Sequence, residues 1–595
     1  MTATVAEVVG ATLATLGADH VFGVVGSGNF HVTNALVANG VRFVATRHEA
    51  GAATAADAYA RVSGQVGLVS VHQGCGLTNA MTGIAEAAKS RTPLVVLAAE
   101  PAATALRSNF RVDQDGLARA VGAASDRIHR PETAVADVAR AWRRAAGERR
   151  TVLLNLPLDL QAMPAELAAP PPALVVQPPR ASDEAVAALC EVLGRAGRPV
   201  FIAGRGALHA RAELAALASA TGALLATSAV AKGLFTGNPW SLDVSGGFAT
   251  PLAAELIAAA DVVVAWGASL NMWTTRHGAL VGPAATVVQV DLEPAALGAH
   301  HRVDLAVVGD VRTSAAAVLA AWPTTGNASV AVESGKATAG SGKATAGSGI
   351  ATAGNGIATA GNGDAAGSGD PADGAGAGYR TAENRVRLGA EGRWRDIPYA
   401  DDGDDTRIDP RTATIVLDDL LPAERTIAVD SGNFMGYPSM FLSVPDRRGF
   451  CFTQAFQSIG LGLASALGAA LAAPGRLPVA ACGDGGFLMS IAELDTVRRL
   501  GLGMLIVVYN DEAYGAEVHH FGPHGYPLDT VRFPETDLAA IARGHGCAAI
   551  TVRRESDLAP VGEWLSGPRD GPMVVDLKVS ADHPSWWLEE AFRGH

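Results

Sequence analysis

The sequence predicts an α/β protein built from three doubly wound parallel-sheet domains. Short apolar runs alternate with helical periodicity through three successive blocks of the chain, the pattern of parallel strands covered by helices. A proline-rich stretch at 170–179 and a glycine-rich linker over 324–378 separate the blocks. Glycine-containing turns follow several apolar runs, at the strand ends where open α/β sheets place their ligand crevices. At 595 residues the chain exceeds one ordinary core and suits roughly three domains.

The first block, residues 1–170, opens with an amphipathic helix at 4–16 and continues with apolar runs at 21–25, 43–45, 66–71, 94–98 and 151–156. The prolines of 170–179 read as an extended linker. The second block, 182–323, places strands at 199–203, 223–227, 262–266 and 286–291. From Ser334 the segment Ser-Gly-Lys-Ala-Thr-Ala-Gly recurs with a seven-residue period to residue 361. It lacks the apolar seam of a coiled coil, so 324–378 is expected to be a flexible linker. The third block, 379–595, shows its α/β pattern from about Thr406, with a strand at 478–482, a helix at 490–500 and a strand at 504–509.

Composition narrows the function classes. Hydrophobic residues make up 49% and charged residues 18%, as in a globular protein with much buried sheet. The net charge of −13, with no basic stripe, argues against nucleic acid as a partner. Cys75, Cys190, Cys451, Cys482 and Cys547 are odd in number and form no Cys-x-x-Cys pair. A disulfide framework or a zinc site is therefore not expected, and a reducing cytoplasmic location is. No basic segment precedes an apolar run at the N-terminus, and no 18-residue apolar stretch occurs. Neither export nor a membrane span is expected.

Chemistry concentrates in two distant motifs. Gly483-Asp484-Gly485-Gly486-Phe487 is followed 26 to 27 residues later by Asn510-Asp511-Glu512-Ala513-Tyr514-Gly515. Both follow apolar strands, so Asp484, Asp511 and a backbone carbonyl meet at adjacent strand ends, a donor set that suits Mg²⁺ carrying a diphosphate. Gly483, Gly485 and Gly486 let the backbone approach phosphate oxygens, and the following helix N-terminus supplies N–H donors. More than 400 residues earlier, Arg47-His48-Glu49 stands at a strand-to-helix junction. On local grounds alone Glu49 is an acidic residue favouring a helix N-terminus.

Taken together, these motifs resemble the thiamine-diphosphate enzymes of the acetolactate synthase and 2-oxo acid decarboxylase superfamily. The resemblance covers three domains in the family's order, pyrimidine-binding, central and diphosphate-binding, and leaves the repeat outside. It implies thiamine diphosphate and Mg²⁺ as cofactors, a 2-oxo acid substrate, and a homodimer or homotetramer with sites shared between subunits. It also implies attack of the cofactor's C2 on the ketone, loss of CO₂, and then either protonation to an aldehyde or addition to a second carbonyl.

Residue by residue, Glu49 falls where the family hydrogen-bonds the aminopyrimidine ring. Asp484, Asp511 and the Ala513 carbonyl fall at the metal ligands, with Asp511 departing from the family's asparagine. Ile459 corresponds to the apolar wedge between the two cofactor rings, although an isoleucine in an apolar helix is also ordinary core. Ser27, Asn433 and Tyr514 fall on cofactor-lining loops. His72-Gln73-Gly74-Cys75 replaces the Ser-Gly-Pro-Gly of acetolactate synthases and is closer to the histidine loop of benzoylformate decarboxylase. Such a histidine protonates the reacting carbon or binds the substrate carboxylate. Gln114 matches a substrate-side glutamine, and His519 and His520 fit equally a closing segment or a solvated helix face. In the central domain, Gly204-Arg205-Gly206 and Asp291-Leu292-Glu293 suit a dinucleotide crevice, while 267–276 keeps the turn without clear flavin contacts. FAD stays open there. Beside carboligase and decarboxylase stand a flavin-dependent oxidase and, through Cys75 and Asp511, a catalytically silent regulatory protein that binds thiamine diphosphate.

Overall fold

The structure, a computed structural model, describes residues 2–172, 177–323, 378–582 and 585–588. The expected repeat linker therefore falls, but for residue 378, outside the described residues, as do residues 173–176 of the proline-rich stretch. The remainder forms three six-stranded sheets and one short antiparallel pair, Thr2–Thr4 with Pro164–Glu166.

In the first domain the strands lie in the order Arg42–Ala45, His20–Gly23, Gly67–Val71, Leu94–Glu100, Thr151–Pro157, Ala124–Arg127, all parallel. The chain reverses its winding between His20–Gly23 and Gly67–Val71, and that reversal opens a crevice at the strand C-termini. The third domain repeats this winding: Phe450–Phe452, Arg425–Val429, Leu477–Gly483, Leu505–Asn510, Met573–Lys578, Ala548–Val552. The central sheet differs, running Ser241–Val244, Leu224–Thr227, Pro199–Ala203, Val262–Trp266, Thr286–Asp291, Leu305–Val308. Its crevice opens between Pro199–Ala203 and Val262–Trp266.

Local chemistry sets these elements. Thr4 caps the helix Val5–Thr15 through a capping box in which Glu7 N–H donates to the Thr4 hydroxyl and the Glu7 carboxylate accepts Thr4 N–H at 2.7 Å. The inner strands are buried on both faces, Thr151–Pro157 throughout, which is why they read as unbroken apolar runs.

Three details depart from expectation. The helix expected at 490–500 is two short helices, Asp484–Ser490 and Glu493–Arg499, so the first begins at the motif aspartate itself. Ile459 lies in the loop ahead of the helix Gly462–Ala472 rather than inside a helix. Residues 379–391 pack on the central domain. The Tyr379 hydroxyl donates to the Leu256 carbonyl at 3.0 Å, Arg380 Nε donates to the Ala223 carbonyl at 2.9 Å, and Tyr379 and Leu388 join that domain's core.

The first and third domains share one core, centred on the helix Glu49–Ser63 packed against Gly462–Ala472 and Cys75–Lys89. Gly468 meets the Ala55 carbonyl so closely that any side chain would overlap it. Half-buried Arg61 binds the buried Asp57 at 2.6 Å, the buried Glu86 at 2.8 Å and the Phe452 carbonyl at 2.9 Å. Glu86 in turn accepts the Phe456 N–H at 2.7 Å, tying the loop that carries Ile459 to the first domain. Removing one member of such a buried network leaves an uncompensated charge, so its cost is large whichever partner goes. Among the described residues no helix is long and apolar enough to cross a membrane.

Candidate active site

The strand Leu477–Gly483 ends at the first motif, and the helix that follows starts at Asp484. Asp484 is 9% exposed, and burial, with the nearby Asp511 adding to it, pushes its carboxyl up to about 7. Asp511 is pushed up to about 6, again by burial. Neighbouring buried carboxyls whose charge is disfavoured are a setting that a divalent cation relieves. The Asn433 Nδ2 faces Asp511 Oδ2 at 3.5 Å, and Gly515 is placed where any side chain would strike that same oxygen. A Cβ on Gly485 would lie 2.7 Å from the Tyr514 ring, so Tyr514 closes over the motif's glycines. The bridge joining Ala513 to Arg532 bonds through Tyr514 N–H to Val531 at 2.9 Å and Phe533 N–H to Glu512 at 2.8 Å. That ladder does not use the Ala513 carbonyl. Asp484, Asp511 and this carbonyl fit Mg²⁺ with further oxygens drawn from a bound diphosphate. Among the described residues no group of three or more His, Cys, Asp or Glu side chains could hold a metal without such help.

Beneath the motif, buried Asp430 accepts the N–H groups of Gly460 and Leu461, each at 3.0 Å, and burial raises its carboxyl to about 6. Asp430 thus fixes the loop that presents half-buried Ile459. Neither Asp430 nor its role was apparent from spacing alone.

The other half of the site forms on the first domain. Glu49 is the first residue of its helix, and its carboxylate accepts Asn79 Nδ2 at 3.1 Å. The N–H groups of Arg47 and His48 donate to Glu493 Oε1 at 3.0 Å each. A side chain of the diphosphate domain thus grips the two residues preceding Glu49, and burial pushes the Glu493 carboxyl up. His72 Nδ1 accepts the Gly28 N–H at 3.1 Å, which leaves the imidazole proton on Nε2. Burial lowers the His72 pKa against the opposing influence of Glu49, keeping the ring neutral. A Cβ on Gly76 would lie 3.1 Å from His72 Cβ and 3.4 Å from Glu49 Oε1, so the two side chains flank one glycine. Exposed Ser27 rides on the Gly26–Gly28 turn, whose glycines pack on the His72 ring. Cys75 is exposed at the start of the helix Cys75–Lys89.

Gln114 lies deeper than a substrate-facing residue would. It is 2% exposed, accepts Gly74 N–H at 3.1 Å and donates to Asn155 Oδ1 at 2.7 Å and the Ala99 carbonyl at 3.2 Å. Its amide braces the His72 loop against the sheet. His519 and His520 are half-buried on the helix Gly515–Phe521, with the His520 ring against Phe521 and His524.

The central crevice encloses about 2040 Å³, and the segments containing Gly204–Gly206, Gly267–Thr275 and Asp291–Glu293 all line it. Arg149 and Arg205 also line it, with burial lowering the pKa of each. Neither forms an ion pair among the described residues, and Arg205 donates to the Ser90 carbonyl. Cations so placed fit a phosphate-bearing ligand.

Two sheets of identical winding, one bearing the neighbouring carboxyls Asp484 and Asp511 and the other a glutamate at a helix start, have the architecture of a cofactor-dependent α/β enzyme. Residues 3–119 match the N-terminal TPP binding domain of thiamine pyrophosphate enzymes, residues 186–319 their central domain and residues 430–577 their C-terminal TPP binding domain. The chain is 29% identical to a probable 2-ketoarginine decarboxylase of Pseudomonas aeruginosa, over 95% of this chain and 92% of that one. It is 26% identical to the acetolactate synthase large subunit of Parasynechococcus marenigrum, over 95% and 85% of the two chains. It is also 26% identical to a sulfoacetaldehyde acetyltransferase of Castellaniella defragrans, over 92% and 88%. The chain belongs to the thiamine pyrophosphate enzymes, in their 2-oxo acid carboligase and decarboxylase group.

Proposed function

We propose that the protein decarboxylates a 2-oxo acid and that His72 supplies the proton that releases the product as an aldehyde. The observation carrying this is the Gly28 N–H on His72 Nδ1, which leaves Nε2 as the ring nitrogen that passes a proton on and regains it from solvent. Similarity to a 2-ketoarginine decarboxylase supports the same choice.

Thiamine diphosphate, when bound, supplies the nucleophilic C2 and the electron sink for CO₂ loss. The protein's part is to hold, orient and protonate. Asp484, Asp511 and the Ala513 carbonyl would hold Mg²⁺, and the backbone at Gly483, Gly485 and Gly486 would receive the diphosphate it carries. Glu49 would exchange a proton with the aminopyrimidine, Ile459 would support the cofactor's bend, and Ser27, Asn433 and Tyr514 would line it. Gln114 would keep the His72 loop in register. The central crevice has the size and the basic wall for FAD or a related nucleotide, and a yellow protein on purification would support flavin there.

Subunit sharing of the site is part of this reading. Val25 and Phe30 beside Ser27, Phe456 beside Ile459, and Leu488 and Met489 after the Gly-Asp-Gly turn are all exposed apolar side chains. Such residues ring both half-sites, as expected of a face that a second copy covers.

A carboligase reading is favoured by similarity to acetolactate synthases. One experiment separates the two. The protein is incubated with thiamine diphosphate, Mg²⁺ and a panel of 2-oxo acids, with and without an aldehyde acceptor, and products are followed by NMR. Aldehyde as the sole organic product supports the decarboxylase. Acyloin or acetolactate as the main product refutes it in favour of ligation, and no CO₂ from any member refutes both.

A further inference from the structure

The C-terminal segment reaches back into the metal site. Ser585 is 2% exposed, and its hydroxyl lies 2.6 Å from Asn433 Oδ1. The Trp587 indole N–H donates to the Asn433 carbonyl at 3.1 Å. Trp587 itself is 2% exposed and packs over Gly436, where any Cβ would overlap the indole. Trp586 is held between the Trp394 ring at 5.8 Å and the Arg276 guanidinium at 4.8 Å, so the segment is anchored on the third and central domains at once.

The hydrogen-bond polarity around Asn433 then follows. An ionised Asp511 carboxylate only accepts, so the Asn433 NH₂ must face it. The opposite side of that amide, Oδ1, needs a donor, and the Ser585 hydroxyl is the donor in place. We propose that Ser585 and Trp587 are positioning residues of the metal site: they fix the Asn433 amide against Asp511, and the docked C-terminal segment is thereby coupled to binding of Mg²⁺ and the diphosphate. The proposal rests on the reading of Asp484 and Asp511 as metal ligands. Its mechanism is reciprocal, since whatever stabilises the oriented Asn433 stabilises both the tail and the bound cofactor.

The test is calorimetric titration of full-length protein with thiamine diphosphate in Mg²⁺. Ser585→Ala should weaken binding by about 5- to 30-fold, the scale of one buried hydrogen bond. Gly436→Ala, which crowds Trp587 without touching Ser585 or Asn433, should weaken it similarly. Ser585→Ala should add nothing further in an Asn433→Ala background, because both act through one amide. Wild-type affinity in Ser585→Ala, or losses that add across the double variant, overturns the proposal. Asp484→Asn separates the two failures. If it too leaves binding intact, the metal-site reading falls. If it abolishes binding while Ser585→Ala does not, only the coupling falls.

Discussion

Glu49 and His72 flank Gly76 from two different elements, and their chemistry diverges because their partners do. Glu49 has a neutral amide partner, Asn79, while His72 has a backbone N–H that commits one ring nitrogen to accepting. Glu49→Gln removes the exchangeable carboxyl proton while keeping the shape, and should slow hydrogen–deuterium exchange at the cofactor C2 by about 10²- to 10⁴-fold. Exchange at the wild-type rate would remove Glu49 from that role. For His72 the sign with pH is fixed by its depressed pKa. The neutral form prevails at and above the ordinary value of 6.5, and the imidazolium, the form with a proton to give, appears only as pH falls toward the lower folded value. Proton delivery from the ring draws on its protonated form, so aldehyde release should rise as pH falls below the usual histidine range and decline above it. His72→Phe should depress aldehyde formation by about 10²-fold or more while leaving cofactor affinity nearly unchanged. An unaltered pH–rate profile in that variant would show that the proton comes from elsewhere.

The helix Glu493–Arg499 shows how one element can serve a site without touching its chemistry. Its first residue accepts the N–H groups of Arg47 and His48, and so sets where the helix bearing Glu49 begins. Glu493→Ala should cost about 1–3 kcal/mol in urea-induced unfolding, since it strands partly buried donors, whereas Glu493→Gln keeps an acceptor and should cost less. Equal stability of all three proteins would show that the contact is idle. This contact also marks the limit of what spacing reveals. The strands Pro199–Ala203, Val262–Trp266 and Thr286–Asp291 were legible to the residue because each is an apolar run buried on both faces. Ala124–Arg127, Ser241–Val244 and Leu305–Val308 were not, because they are edge strands only partly buried, and the first two also carry Ser, Asp or Arg. The site divides in the same way. Glu49, Asp484 and Asp511 sit in motifs whose glycines and spacing point at them. Asp430, Glu493 and Ser585 act through backbone N–H groups or a single amide, contacts for which no local pattern is required.

At the scale of the whole molecule, the two half-sites are carried by sheets of the same winding within one chain, each edged with exposed apolar side chains. If two copies bury those edges about a two-fold axis, the Glu49 of one copy completes the Asp484 site of the other. This arrangement has a consequence no single-chain site shares. Glu49→Gln and Asp484→Asn are each expected to be inactive alone. When the two are unfolded together, or exchanged through dissociation, and allowed to reassociate at random, about half of the dimers are hybrids. In each hybrid one site receives both defects and the other receives none. Activity should therefore rise from near zero to about a quarter of the wild-type value for the same total protein, a figure set by symmetry alone. A site built within one chain always contains one defect, and mixing would restore nothing. Titrating one variant against the other gives a further check, because activity must peak at equal amounts and fall away on both sides. A flat, inactive titration with hybrids demonstrated by native mass spectrometry would place the whole site inside a single chain.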